Sequence, residues 1–347
     1  MWEGQVVRNL ENPYLHSPSS KSLFQLRQSS EEIWRHVEHK EVPTIYGPVA
    51  QFFFAFAPDD VRGFRIALAL IDFLSVLIIA NYLKLRGLPR GRVIIYAWLP
   101  LAIFEVASSA HVDALMIFFV ILGLYSAEYV ESMGSEGAKK SASAPLLILS
   151  YLSLTLAILV KPVAVLALGF SLVRVYYKRG LALASAYAFC CALVVLYFYL
   201  PFLGKVDLAS AKALLGGTSR YAADWRFNGS VYSLILYLSG LIGFGESLSS
   251  TLKVVLAASF AIFCLLSAKK CKNPLDATAL CSFVLLLISS VVYPWYLLWF
   301  IPLVPLRDRD FLSFSMIAFS ITSPALTSRL TPSALRLSQI RKACEKR

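Results

Sequence analysis

Charge is scarce in this chain. Asp, Glu, Lys and Arg make up 16% of its 347 residues, against 58% hydrophobic residues and a mean hydropathy of +0.65. So little charge excludes an ordinary soluble domain. Strict alternation of apolar and polar residues is also lacking, which argues against a transmembrane β-barrel. Cysteine is sparse and poorly placed for crosslinks: Cys190, Cys191, Cys264 and Cys281 fall in apolar blocks, Cys271 in a basic loop and Cys344 near the end. With no cysteine pair in the polar segments and no Cys/His set at zinc spacing, neither a disulfide framework nor a zinc module is expected. The net charge of +12 is not gathered into one basic stripe, so a nucleic-acid partner is not expected either.

What the chain does have is a series of continuous apolar blocks. In hydrocarbon the backbone must satisfy its own polar groups, so each block is predicted helical. The expected fold class is an all-α polytopic membrane protein, with about nine to ten transmembrane helices and interfacial helices in a large first outer loop. Basic residues set its orientation: Lys84, Arg86, Arg90 and Arg92, then Lys139 and Lys140, then Arg174, Lys178 and Arg179, then Lys269, Lys270 and Lys272, occupy short loops that face the cytoplasm by the positive-inside rule. The predicted spans are Phe64 to Leu85, Val93 to Ser108, Ala114 to Val130, Leu146 to Val160, Pro162 to Tyr176, Leu181 to Leu203, Leu252 to Ser267, Thr278 to Val292, Trp295 to Leu306 and Phe311 to Thr322. Val231 to Phe244 cannot cross without inverting the basic loop after it, so it is predicted interfacial or re-entrant. The domain plan is an extracytoplasmic loop with two short helices over 1–62 and a membrane domain over 63–326, which includes an outer loop at 204–250. A basic tail over 327–347 follows, and this count leaves it on the outer side.

Within the first loop, Ser29 and Glu32 have capping-box spacing, and Pro48 suits the first turn of a helix through Phe56 whose phenylalanines would lie in the membrane interface. Histidine played no part in this topology, yet His16, His36, His39 and His111 all fall outside. Lys161, Arg220, Arg226 and the Tyr293-Pro294-Trp295-Tyr296 corner join them, so the residues with chemistry gather on one face.

Short strings in order along the chain carry a family resemblance: Trp2-Glu3-Gly4, Asn12-Pro13-Tyr14, PTIYGP at Pro43 to Pro48, HVDAL at His111 to Leu115, Val160-Lys161-Pro162, WRFN at Trp225 to Asn228 and YPWYLLWFIPL at Tyr293 to Leu303. Together they resemble the membrane-embedded GT-C glycosyltransferases, in particular prokaryotic polyprenyl-phosphate-sugar-dependent mannosyltransferases. The resemblance implies transfer of a hexose, mannose by family, from a polyprenyl-phosphate donor to a lipid or glycan acceptor, usually with inversion, on the outer face of the bilayer. It asks for an acid to take the acceptor's proton, cations or a divalent metal to hold the departing phosphate, and aromatic faces for the sugar.

The family's first outer loop follows an initial helix and opens with an acid shortly before a Trp-Asp-Gly string. Here the chain begins at Met1 with Glu3 in the Asp position, so a truncated start is expected, with the base either upstream or at Glu3. Glu3 and Asp113 are the catalytic candidates. Tyr14, Tyr46, Glu105, His111, Lys161, Arg220, Arg226, Tyr293, Trp295 and Tyr296 are the substrate-binding candidates, and His111 and Asp113 are the candidate metal ligands.

Each has a plainer reading. Asp113 would cap the following helix, Lys161 would snorkel from a helix end, and Tyr293, Trp295, Tyr296 and Trp299 would belong to an aromatic belt. Asp72, inside the first span, is expected to face a polar partner. The competing functions are a transporter or lipid flippase, against which the chain shows no duplicated half, and an inactive truncated member of the enzyme family.

Overall fold

The computed structural model describes residues 1–133, 137–203, 212–241, 243, 248–270, 273–308 and 312–320. The basic tail, Phe311 and Thr322 at the ends of the last expected span, and Lys272, Cys271 and Cys344 lie outside them. Among the described residues the chain is helical and no strand forms; Phe227 and Asn228 make isolated bridges to Val291.

Four short helices build the first segment, where two were expected: α1 (Trp2–Arg8), α2 (Phe24–Ser29), α3 (Glu31–Arg35) and α4 (Pro48–Phe56). The Ser29/Glu32 capping box does not form. Ser29 donates instead to the Leu26 carbonyl at 3.1 Å, and α3 starts after Ser30 with no side-chain cap. Pro48 does open α4, where its missing N–H costs nothing. Phe54 in α4 is buried against Tyr46 and Phe64 inside the protein, not in the membrane interface.

The membrane domain begins with α5 (Val61–Leu85), whose first turn is capped by the Asp60 carboxylate accepting from the Gly63 N–H at 2.8 Å. The return to the other side is broken. After a tight turn at Arg90–Val93, α6 (Ile94–Ala97) and α7 (Pro100–Ile103) are bent by 58°, because Pro100 cannot continue the hydrogen-bond ladder. Next come α8 (Asp113–Ser132), α9 (Gly137–Val160), α10 (Val165–Arg179) and α11 (Leu181–Tyr199). They are followed by α12 (Gly216–Asp224), α13 (Ser230–Leu241), α14 (Ser249–Lys269) and α15 (Pro274–Ile288).

Among the described residues five helices are long and apolar enough to cross a bilayer, or six if the bent pair counts as one span. The expected nine to ten spans are not confirmed by helix length and composition among the described residues, and the last expected span ends outside them. The runs at Pro162–Tyr176 and Thr278–Val292 yield helices of only 15 residues, α10 and α15. Trp295–Leu306 becomes two tight 3₁₀ turns, Pro294–Trp299 and Ile301–Leu306, interrupted by Pro302 and Pro305. Every residue from Ile301 to Leu306 is buried, so this run is apolar because it fills the protein core and not because it meets lipid.

The centre of the bundle is α8 packed along α9. Gly123 sits so close to α9 that an added Cβ would lie 2.6 Å from the Leu154 side chain, and Ser150 donates to the Gly123 carbonyl at 2.8 Å. Such close backbone approach is how helices associate where no hydrophobic driving force separates protein from lipid. Asp72 behaves as expected: the Tyr96 hydroxyl donates to its carboxylate between α5 and α6.

Because α8 and α9 run antiparallel, the start of α8 and the end of α9 meet at one end of the bundle. There Asp113 and Lys161 come together.

Candidate functional site

A cavity of about 400 Å³ lies at this end, roofed by the segment before α5. Glu3, Tyr46, His111, Lys161, Tyr293, Trp295 and Tyr296 all line it.

Glu3 is placed by helix-on-helix contact. At Gly4 an added Cβ would lie 2.1 Å from the Phe54 carbonyl oxygen, so only glycine lets α1 lie this close to α4. The Glu3 Oε2 atom then accepts from Thr44 Oγ1 at 2.8 Å and Gln51 Nε2 at 2.5 Å, while Gln51 also donates to Thr44 at 2.8 Å. Burial pushes the Glu3 carboxyl above its ordinary value of 4.5, and the hydrogen bonds from Gln51 and Thr44 oppose that rise.

Gly47 does the same for the loop carrying Tyr46, since a Cβ there would meet the Leu159 carbonyl oxygen at 2.1 Å and the Gly47 N–H bonds to the Val160 carbonyl at 3.2 Å. The loop is thereby pinned to the end of α9, next to Lys161. Tyr46 lines the cavity, and burial raises its phenol pKa, which keeps it protonated.

Lys161 does not snorkel. It is 9% exposed and donates to both oxygens of Asp113, at 2.8 and 3.0 Å. Its ammonium also sits over the rings of Tyr296 (4.8 Å) and Trp299 (5.2 Å), which stack on each other at 4.1 Å.

Asp113 is not a helix cap. It is the first residue of α8, and its 1% exposed carboxylate also takes the Trp299 indole N–H at 2.7 Å. Tyr296 and Trp299 thus leave the aromatic-belt reading: they form the walls of a buried ion pair, and the Tyr221 and Tyr296 hydroxyls share a hydrogen bond across the cavity.

His111 is held differently. Its Nε2 lies 3.2 Å from the buried Glu105 carboxylate, which belongs to a π-helical turn at Phe104–Ser108, and its ring stacks on Trp295 at 3.9 Å. Trp295 stacks in turn on Tyr293 (4.5 Å, 6° between planes), and Tyr293 on Phe227 (4.6 Å). The result is a column of four rings, three of which face the cavity. Ala110, next to His111, holds φ at +58°, and His39, also on the lining, at +52°. Non-glycine residues in this region are strained, and such strain gathers at functional sites.

Five candidates are not on the cavity lining: Asp113 and Glu105 stand behind it, paired with the lining residues Lys161 and His111, and Tyr14, Arg220 and Arg226 are held elsewhere. Tyr14 packs on Tyr199 and Phe202 and donates to the Tyr46 carbonyl at 2.9 Å, so it supports the loop from behind. Arg220 is exposed and bonds the Glu41 carbonyl at 3.2 Å. Arg226 bonds Ser249.

His111 and Asp113, the candidate metal pair, are committed to Glu105 and to Lys161 respectively. With an ammonium already on both Asp113 oxygens, this donor set does not fit a divalent cation, and among the described residues no three His, Cys, Asp or Glu side chains converge. Sequence reasoning missed Thr44, Gln51, Tyr221 and Trp225. Thr44 lay inside the PTIYGP string and Trp225 inside WRFN, but nothing local marks Gln51 or Tyr221.

The chain matches two family models. Residues 1–177 match the family model described as Alpha-(1->6)-mannopyranosyltransferase, N-terminal domain, and residues 238–332 match the MptB C-terminal domain. No curated protein and no solved structure matches the chain. These matches bear out the glycosyltransferase resemblance and set aside the transporter or flippase reading. Two family models in order, one of them over more than half the chain, show that this protein belongs to the alpha-(1->6)-mannopyranosyltransferase family and is a membrane glycosyltransferase.

Proposed function

We propose that this chain transfers a mannosyl group from a polyprenyl-phosphate donor to a lipid or glycan acceptor, in the cavity between Glu3 and Lys161, on the outer face of the membrane. The observation that carries the reading is the meeting of an acid, a cation and a stacked aromatic wall around one cavity.

In this reading Glu3 is the base. The acceptor hydroxyl oxygen attacks the anomeric carbon, the carbon–oxygen bond to the phosphate breaks, the phosphate leaves with the electron pair, and the acceptor's proton passes to the Glu3 carboxylate. A carboxylate lifted by burial is a better proton acceptor than one in water. Its Thr44 and Gln51 donors orient it through Oε2.

Lys161 meets the departing phosphate. Its ammonium has three N–H donors, and the two directed at Asp113 leave one for a phosphate oxygen. Asp113 is thus a positioning residue that holds the Lys161 ammonium in place. The Tyr293–Trp295–His111 column, its inner faces closed by stacking, lines the cavity with ring edges that would shape the space for the sugar. No step runs through a metal.

The basic residues Lys84, Arg86, Arg174, Lys178 and Lys269 sit at the other ends of the helices that frame the cavity, as the positive-inside rule asks of an outward-facing site.

The test is sugar transfer in membranes carrying the chain, supplied with radiolabelled polyprenyl-phosphate mannose. Label should pass to a lipid or glycan product, and Glu3→Gln should abolish the transfer. Transfer from a nucleotide-linked mannose alone would overturn the donor, and full activity in Glu3→Gln would overturn the base.

A further inference from the structure

The bundle has a second cavity, of about 420 Å³, at the end opposite the first. Along α8 the distance from Asp113 to Glu131 is about 27 Å at 1.5 Å per residue, close to the hydrocarbon thickness of a bilayer. The lower cavity therefore stands near one membrane interface when the upper one stands near the other. It is absent from the mechanism above and from both family descriptions.

Its rim is basic. Arg174, Lys178 and Arg179 from the last turns of α10 all line it. Its two acids are already engaged: Glu131 by Arg174 and by Lys178 at 3.0 Å, and Glu128 by the Tyr82 hydroxyl at 2.7 Å and by Arg86 at 3.5 Å. Arg179 makes no ion pair among the described residues, and Lys178 keeps half its side chain exposed, 49%, so the rim has cationic capacity left over.

Below the rim the wall turns apolar. Leu124, Leu147 and Val175 line it, and the Tyr151 and Tyr187 rings stack at 4.6 Å at its side. A cationic mouth at the membrane interface above an apolar, aromatic wall between helices suits a phosphate headgroup with its acyl chain alongside. A free anion would use the mouth and leave the wall in contact with water.

We infer that this cavity is a binding site for an anionic phospholipid, its phosphate held by Lys178 and Arg179 and its chain against Leu147, Tyr151 and Tyr187. Neither basic side chain is needed to neutralise Glu128, and Arg174 alone still pairs Glu131 in their absence. Lys178→Gln/Arg179→Gln should therefore fold.

The experiment uses the full chain purified in detergent and native mass spectrometry to count bound lipid, with phosphatidylglycerol, phosphatidylcholine and glycerol phosphate as separate probes. The wild type should retain phosphatidylglycerol over phosphatidylcholine. Lys178→Gln/Arg179→Gln should hold it on the order of thirtyfold less tightly, roughly fivefold for each charge removed. Leu147→Trp, which fills the cavity and keeps every charge, should also lose the lipid, while Lys84→Gln in another basic loop should not. Unfolding temperature verifies that each variant is folded. Equal retention of the two lipids, or undiminished phosphatidylglycerol binding in Lys178→Gln/Arg179→Gln, would overturn the site. Glycerol phosphate displacing the lipid at equal concentration would overturn the lipid as its occupant.

Discussion

Lys161 and Asp113 form a buried salt bridge, 2.8 Å long, between the end of α9 and the start of α8. They lie 48 residues apart in the chain. Each would be an uncompensated charge without the other, so the pair behaves as a latch as well as a piece of chemistry. Asp113→Ala should lower stability by about 3–5 kcal/mol, because it strands the buried ammonium, whereas Asp113→Leu combined with Lys161→Met should recover much of that loss. Thermal unfolding of the single and double variants in detergent measures the coupling. Transfer should be lost in all of them, since the double variant restores packing and not the cation.

The Glu3 carboxyl, raised by burial, gives two pH dependences of opposite use. A folded-state pKa above the unfolded one means the folded protein binds the proton more tightly, so this group's contribution to stability is most favourable below 4.5 and declines as pH rises through the folded value. Transfer should run the other way, its acid limb rising only above the usual carboxylate range as Glu3 ionises. Glu3→Gln is expected to flatten the stability profile while abolishing transfer. A pH–rate profile together with unfolding at several pH values separates a base from a merely structural acid.

Gly4→Ala places a methyl group 2.1 Å from the Phe54 carbonyl oxygen, which is backbone and cannot rotate away. Helix α1 must then lift from α4, at a cost of roughly 1–3 kcal/mol, the usual range for overpacking. Because Glu3 rides on α1, transfer should fall more steeply than stability. Comparing kcat with unfolding temperature checks this.

Trp295 is stacked on both faces, by Tyr293 and by His111. Trp295→Ala should open the aromatic wall and raise KM for a sugar substrate roughly tenfold, about 1.4 kcal/mol, with Trp295→Phe intermediate. A change in kcat alone, with KM untouched, would remove the wall from substrate binding.

Tyr96→Phe removes the hydroxyl that Asp72 accepts from, leaving a carboxylate inside a span without that donor. A loss of about 1–3 kcal/mol is expected from unfolding in detergent, with transfer retained in the folded fraction.

How far these residues can be read without coordinates depends on how local their signals are. The helix opened by Pro48 and the polar partner demanded by Asp72 follow from one-residue rules and are seen in the structure. Helix-capping at Ser29 was equally local and failed, because Ser29 bonds backward to Leu26. The count of nine to ten spans is not confirmed, for a physical reason. A hydrophobic run reports removal from water but does not say whether lipid or protein replaces it, and Ile301–Leu306 is apolar because it is wholly enclosed by protein.

The sequence by itself determined the class of the molecule, since a chain this poor in charge has nowhere but a bilayer to place its apolar blocks. It also determined the set of strings that mark a membrane glycosyltransferase, and most of the side chains around the cavity were among them. Only the tertiary structure decided what those side chains do to one another: that Lys161 pairs with Asp113 and not with water, that His111 turns to Glu105 and Trp295, and that Arg220 and Arg226 stay away from the cavity lining. Apart from the His111–Glu105 contact, those choices depend on residues dozens to hundreds of positions apart, set by antiparallel helix packing and by the close approaches at Gly4, Gly47 and Gly123, and no local pattern encodes them.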